Sequence, residues 1–429
     1  MQIFPYDGVA AVSQGVPEHQ DRVSPTTLKV TILGDELGSS AGGLSTLNKE
    51  LAIHLAEQPD VEVTFFIPEG ACTDEHKRTA ESYGITVVEA RRLAGYKDRH
   101  DWLSFPPPDL SMDVIIGHGK KLGRQGQVLK RPPFDNRKWV QVVHTAPEQL
   151  GMFKSSSNAV SEAGSNHETE VDLCKLADLV VPVGPKLAEA YYSYLRSKEA
   201  QDTFVLTPGL FEEFADLKQD PNDSSEFKVL LCGRVQSEDF ELKGYDIGAE
   251  AFADEELKGK PYRLLFVGAP AGEEDEVARK LLEHGIAKEQ LTVRKFVQSR
   301  DKMKELFCEV DLAIMPSRTE GFGLIALEAL SASLPILVSS NSGFARALRN
   351  LQSDKLCIVD SKEPKDWAKA IKAVRERHGE ELQEIQALRE SYGEKYSWFK
   401  QCEDLVEKIR NMFRGIDLRG MCSPNSSLK

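Results

Sequence analysis

The chain has no Cys-x-x-Cys pair, no Asp-x-Asp, no G-x-G-x-x-G loop and no run approaching the ~18 apolar residues of a membrane-spanning helix. It is also short of positive charge: 54 Lys and Arg against 68 Asp and Glu give a formal charge of −14 and a pI near 5.3. Each shortage excludes something. The acidic balance argues against an extended nucleic-acid surface or an anionic-membrane patch, so any anionic substrate has to be gripped by a few local cations. Seven cysteines, scattered and odd in number, suit a reducing compartment rather than a disulfide framework. No histidine, cysteine or carboxylate group has metal-ligand spacing, so no metal site is expected. The first 25 residues lack a basic start followed by an apolar run, and the ending Ser-Leu-Lys is not a peroxisomal signal; the expectation is a cytoplasmic protein without an integral membrane segment.

What the chain does have is repeated alternation of short apolar strands with helical stretches, twice over. In 429 residues there is room for two or three domains. Residues 1–25 read as an irregular lead-in and 26–207 as a first α/β domain. A polar linker at 208–226 leads to a second α/β domain at 227–395, a closing helix at 396–414 and a disordered tail at 415–429. In the first domain the strand candidates are 28–33, 61–67, 85–88, 114–116, 139–143 and 177–183. In the second they are 227–232, 262–267, 291–297, 311–315, 335–338 and 356–359. Alternation of this kind implies two doubly wound parallel sheets, with a cleft between their facing strand ends as the ligand site. The stretch 155–167 reads as polar and mobile. Residues 90–110 read either as part of an acceptor-binding wall or as a solvated insertion, and the basic group Lys120, Lys121, Arg124, Lys130 and Arg131 is a short cluster that would favour an anionic acceptor.

The most informative stretch runs from Met315 to Gly343. A buried strand is followed by Pro-Ser-Arg-Thr-Glu320-Gly321-Phe322-Gly323 and a helix opening at Leu324, then by a Pro-Ile-Leu-Val strand. Such a turn places amides and a helix N-terminus at the carboxyl end of a strand, where a phosphate is favoured. Glu320 sits at the rim, and Glu328, one turn into the helix, can reach back towards that end. Paired carboxylates are poor phosphate ligands but good acceptors for sugar hydroxyls.

Glu320, seven intervening residues and Glu328, in this setting, resemble the signature of the family-four retaining glycosyltransferases, which have the GT-B fold. The resemblance covers most of residues 28–412. It implies two Rossmann-like domains facing across a cleft, with a last helix that crosses back to the first domain. It implies a retaining, metal-independent transferase with no cofactor, whose donor is a nucleotide sugar of UDP or GDP type and whose acceptor is unknown. By the same resemblance Arg234 and Lys243 hold the donor diphosphate, Glu320 the sugar hydroxyls, and Glu328 the ribose. Gly321, Phe322, Gly323 and Leu324 then lie along the phosphates, Gly42 and Gly43 close over them, Phe296 and Val297 meet the base, and His144 orients sugar or acceptor. On the residues alone, Gly42 and Gly43 also fit a plain tight turn, His144 and His118 fit structural histidines, and Phe296 and Val297 fit strand core. One departure matters. Eight residues, among them Glu238, Asp239 and Glu241, separate Arg234 from Lys243, a longer loop than the family's usual one. That loop, together with Ser342-Gly343-Phe344, which lacks the glutamate the family often has after its glycine pair, motivates the alternative of a catalytically silent nucleotide-sugar-binding module.

Overall fold

The computed structural model describes residues 27–36, 42–132, 136–153, 159–195, 202–219, 221, 225–351 and 357–415. The lead-in, most of the tail, Gly38 and parts of the linker lie outside these. The first sheet contains β1 Leu28–Leu33, β2 Val61–Pro68, β3 Ile85–Ala90, β4 Val114–His118, β5 Lys138–Val143, β6 Leu179–Pro182 and β7 Asp202–Thr203. Its order is β3-β2-β1-β4-β5-β6-β7, and every pairing is parallel. The second contains β8 Phe227–Cys232, β9 Tyr262–Ala269, β10 Leu291–Lys295, β11 Leu312–Met315, β12 Ile336–Ser339 and β13 Ile358–Val359. It is also all parallel, in the order β10-β9-β8-β11-β12-β13. These strands read as near-continuous apolar runs because helices cover both faces of each sheet. In both domains the strand order reverses at the first strand, between β1 and β4 and between β8 and β11. A ligand crevice opens at such a reversal.

The helix Trp398–Arg414 returns to the first domain. Its Cys402, Leu405 and Ile409 are buried in the same core as Leu47, Leu51 and Leu55 of the helix Gly43–Ala56. Arg410 donates to the carbonyls of Pro59 and Asp60 at 3.0 and 3.1 Å, and Gln58 donates to the Phe399 carbonyl at 3.2 Å.

Two local expectations change, and a third stretch gains an anchor. The stretch 155–167 is not a polar mobile loop throughout, because Ala159–Leu176 is a helix that packs on the helix Gly119–Leu129. Phe296 and Val297 do not end a strand: β10 stops at Lys295, although the Phe296 amide still donates to the Ala269 carbonyl at 2.9 Å. The span 90–110 is tied to the end of β1, since Arg99 donates to the Asp35 carbonyl at 3.1 Å and His100 bonds the Asp35 carboxylate.

Candidate active site

A cavity of about 380 Å³ lies between the domains at the two strand reversals. Its walls include Gly42, Gly43, His144, Arg234, Lys243, Phe296, Val297, Glu320, Phe322, Gly323, Leu324 and Glu328. Residues spread over nearly three hundred positions of chain therefore meet in one place. Gly321 contributes differently: a Cβ there would lie 2.3 Å from the His144 carbonyl oxygen, so its backbone abuts the N-terminal domain directly.

The long loop after β8 does not carry Lys243 away. Arg318 of the signature turn forks onto the Asp246 carboxylate at 2.8 and 2.6 Å, and its amide donates to the Leu242 carbonyl at 2.9 Å. Gly244 adopts φ +68, and a Cβ there would lie 2.1 Å from the Pro316 carbonyl oxygen, so only glycine allows the loop to pack against the turn. Lys243 is thereby delivered to Glu320, whose Oε2 accepts from Nζ at 2.7 Å. Arg234, at the mouth of β8, lies over the Phe296 ring at 4.7 Å.

Glu328 is deeply buried, which pushes its carboxyl above the usual carboxylate range against the pull of Arg300. Arg300 donates to Glu328 Oε1 at 2.6 Å and, through Nε, to Glu213 at 2.6 Å, with its guanidinium over Phe211 and Phe214. Glu328 Oε2 is buried and accepts nothing among the described residues. A buried carboxylate oxygen left open on a cavity wall suits a hydroxyl donor.

His118 Nδ1 and His144 Nε2 lie 2.8 Å apart at the ends of β4 and β5. Burial lowers both: His144 to about 4, and His118 well below the ordinary imidazole value with His144's charge adding to the effect. Both rings are neutral near pH 7. His118 Nε2 has no partner among the described residues, so the arrangement that strands no N–H puts the shared proton on His118 Nδ1, donating to His144.

Comparison with known proteins fits this geometry. A model of family 4 glycosyltransferases in conflict systems matches residues 31–405. The chain belongs to that family. A D-inositol 3-phosphate glycosyltransferase from Corynebacterium urealyticum is 26% identical over 322 residues, which cover 71% of this chain and 72% of that one. Among solved structures, a sucrose-phosphate synthase from Thermosynechococcus elongatus aligns with a TM-score of 0.70 at 16% identity, covering 90% of this chain and all of that one. Anabaena HepE in complex with UDP and glucose aligns with a TM-score of 0.66 at 16% identity, again over 90% of this chain and all of the other. The fold of this family 4 glycosyltransferase is GT-B.

Two residues that hold the site's glutamates, Arg300 on the cavity wall and Lys186 behind it, carry no clear signal in the sequence. Arg300 follows the β10 edge and is signalled only by the N-cap Ser299, whose side chain accepts from the Lys302 amide. Lys186 stands alone in a helix of the first domain, and nothing local in the sequence of this family 4 glycosyltransferase marks it.

Proposed function

We propose that this glycosyltransferase transfers a sugar from a nucleoside-diphosphate sugar with retention of anomeric configuration. The observation that carries this is the placement of two cations, Arg234 and Lys243, and two carboxylates, Glu320 and Glu328, on one interdomain cavity, with one carboxylate oxygen open. Arg234 and Lys243 hold the diphosphate, where an arginine fork and a compact ammonium match phosphate oxygens. Negative charge grows on the diphosphate as the bond from the anomeric carbon to phosphate oxygen breaks, so preplaced cations favour the transition state over the ground state. Glu320 accepts from the sugar hydroxyls, and Glu328 Oε2 accepts from the ribose. Gly42 and Gly43 cover the phosphates, Phe296 and Val297 flank the base, and His144 orients sugar or acceptor. The acceptor oxygen bonds to the anomeric carbon on the face the diphosphate leaves, and its proton passes to the departing phosphate oxygen. No side-chain nucleophile and no metal enters this scheme, and closure of the domains excludes water.

A UDP donor is the first choice, since the structure of Anabaena HepE holds UDP and glucose. The name of the Corynebacterium urealyticum relative points to a phosphorylated polyol as the first acceptor to try. The deciding experiment is nucleotide release from a panel of UDP-, GDP- and ADP-sugars, with Glu320→Gln and Arg234→Ala beside wild type. Slow hydrolysis of one donor, lost in both variants, supports the reading. Tight binding with no release on any acceptor would leave a silent binding module, and absence of binding across the panel would overturn both.

A further inference from the structure

Lys186 lies in the first turn of the helix Pro185–Tyr194 of the N-terminal domain, yet the hydrogen bonds of its ammonium among the described residues all go to the C-terminal domain. Nζ donates to Thr319 Oγ1 at 2.7 Å, to the Glu320 carbonyl at 3.0 Å and to the Asn341 carbonyl at 2.8 Å. An ammonium has three protons, and all three are used. The residue is 8% exposed. Burying an ammonium is costly unless it is well paired, and among the described residues no carboxylate touches it. Its partners are a hydroxyl and two main-chain carbonyls, with the Glu320 side chain the nearest compensating charge and Arg346 opposing it. An apolar side chain would fill this seam more cheaply if the seam were only packing.

The carbonyls it selects belong to the two segments that set Glu320. The Glu320 amide donates to the Asn341 carbonyl at 3.1 Å, so the Asn341 oxygen accepts from both Glu320 and Lys186. Around this knot the domains touch closely. A Cβ on Gly184, two residues before Lys186, would lie 2.6 Å from the Phe322 ring. Separation of the domains therefore leaves Thr319, Glu320 and Asn341 each short of a donor.

We propose that Lys186 is a positioning residue that couples closure of the two domains to the setting of the Glu320 carboxylate in the donor site. The inference rests on the donor-binding reading given above. Its ammonium reaches the turn only when the domains are closed, so Glu320 attains its working position only in the closed form.

The test compares the full-length wild type with Lys186→Met, which keeps the stem and removes the donors, and Thr319→Val, which removes one acceptor and leaves the charge. Melting temperature, radius of gyration by X-ray scattering without ligand, UDP affinity by calorimetry, and kcat and KM for the hydrolysed nucleotide sugar are measured on each. Lys186→Met is expected to show a larger radius of gyration and a kcat at least tenfold lower, with UDP affinity and KM within about threefold. Thr319→Val shifts the same quantities in the same direction by less. An unchanged radius and kcat in Lys186→Met overturns the inference, as does a parallel loss of kcat and UDP binding that merely tracks loss of folded protein. Should Lys186→Met fail to fold, Thr319→Val decides alone: a lowered kcat supports the coupling, and wild-type behaviour overturns it. A wild type that binds UDP while its variants match it overturns only the coupling. A wild type that binds no panel nucleotide overturns the donor reading and the coupling with it.

Discussion

Lys243 Nζ lies 2.7 Å from Glu320 Oε2, so the residue assigned to the diphosphate is paired with the residue assigned to the sugar. Donor binding has to exchange this pair for two new ones, ammonium to phosphate and carboxylate to hydroxyl. Both side chains are partly exposed, so the pair is worth no more than ~1 kcal/mol. Glu320→Gln releases Lys243, and UDP is then expected to bind about fivefold more tightly while donor turnover falls about a hundredfold. Calorimetry with UDP and a nucleotide-release assay check the two halves. Loss of UDP affinity in Glu320→Gln would contradict the exchange.

Arg300 stands between Glu213 and Glu328, 2.6 Å from each. Arg300→Met leaves the buried Glu328 and the partly buried Glu213 without their shared cation, and removing one partner of a buried ion pair costs roughly 3 kcal/mol. The effect has a pH sign. Burial already raises the Glu328 carboxyl, and a raised carboxyl contributes stability that is present below its unfolded value and lost as pH rises through the folded one. Without Arg300 that rise is larger. Urea unfolding should therefore show a greater deficit for Arg300→Met at pH 7.5 than at pH 5, and weaker UDP binding because Glu328 no longer holds its carboxylate form and position.

Much of this was legible in the chain. Leu28–Leu33 and Phe227–Cys232 are strands with the bounds their apolar runs suggest, and Glu320, Glu328 and the glycine turn lie where the strand, turn and helix pattern places them. What was illegible shares one cause: its meaning depends on a partner far away in sequence. Arg300 is 28 positions from the glutamate it holds, and Lys186 is 133 from Thr319. His118 fits a structural histidine in the sequence because a histidine closing a strand has no local pattern that names its neighbour; the neighbour is His144, one strand over. The helix over Ala159–Leu176 is illegible because its sequence is polar and only weakly patterned, so packing decides it rather than periodicity.

The two histidines predict an acid-side loss of stability. Both are held neutral in the folded chain, His144 at about 4 and His118 also well below the ordinary value of 6.5. A depressed imidazole means the unfolded chain binds more protons in that window, so stability is full above pH 6.5 and falls as pH drops towards 4. Each group contributes a slope of roughly 1.4 kcal/mol per pH unit there. His118→Phe removes one, and denaturant midpoints measured between pH 4.5 and 6.5 should flatten accordingly. An unaltered slope would mean that His118 is already protonated in the fold.

Gly321 tests how closely the domains must fit for turnover. Its φ is not in the left-handed region, so alanine brings no local backbone strain, but the added Cβ would lie 2.3 Å from the His144 carbonyl oxygen. Real carbon contacts to backbone oxygen do not fall below 3.0 Å, so the domains must separate by somewhat under 1 Å at this point. A misplacement of ~1 Å at a reacting centre lowers turnover on the order of a hundredfold. The UDP contacts assigned to Arg234, Lys243 and Glu328 all lie within the C-terminal domain, and they survive such a separation. Gly321→Ala is therefore expected to retain UDP binding within a few-fold and to lose about two orders of magnitude in donor turnover. Gly379→Ala, where no atom lies within 4 Å of the added carbon, serves as the control and should match wild type. Wild-type turnover in Gly321→Ala would show that the contact between Gly321 and His144 is dispensable, and that catalysis tolerates a looser meeting of the two domains than the structure displays.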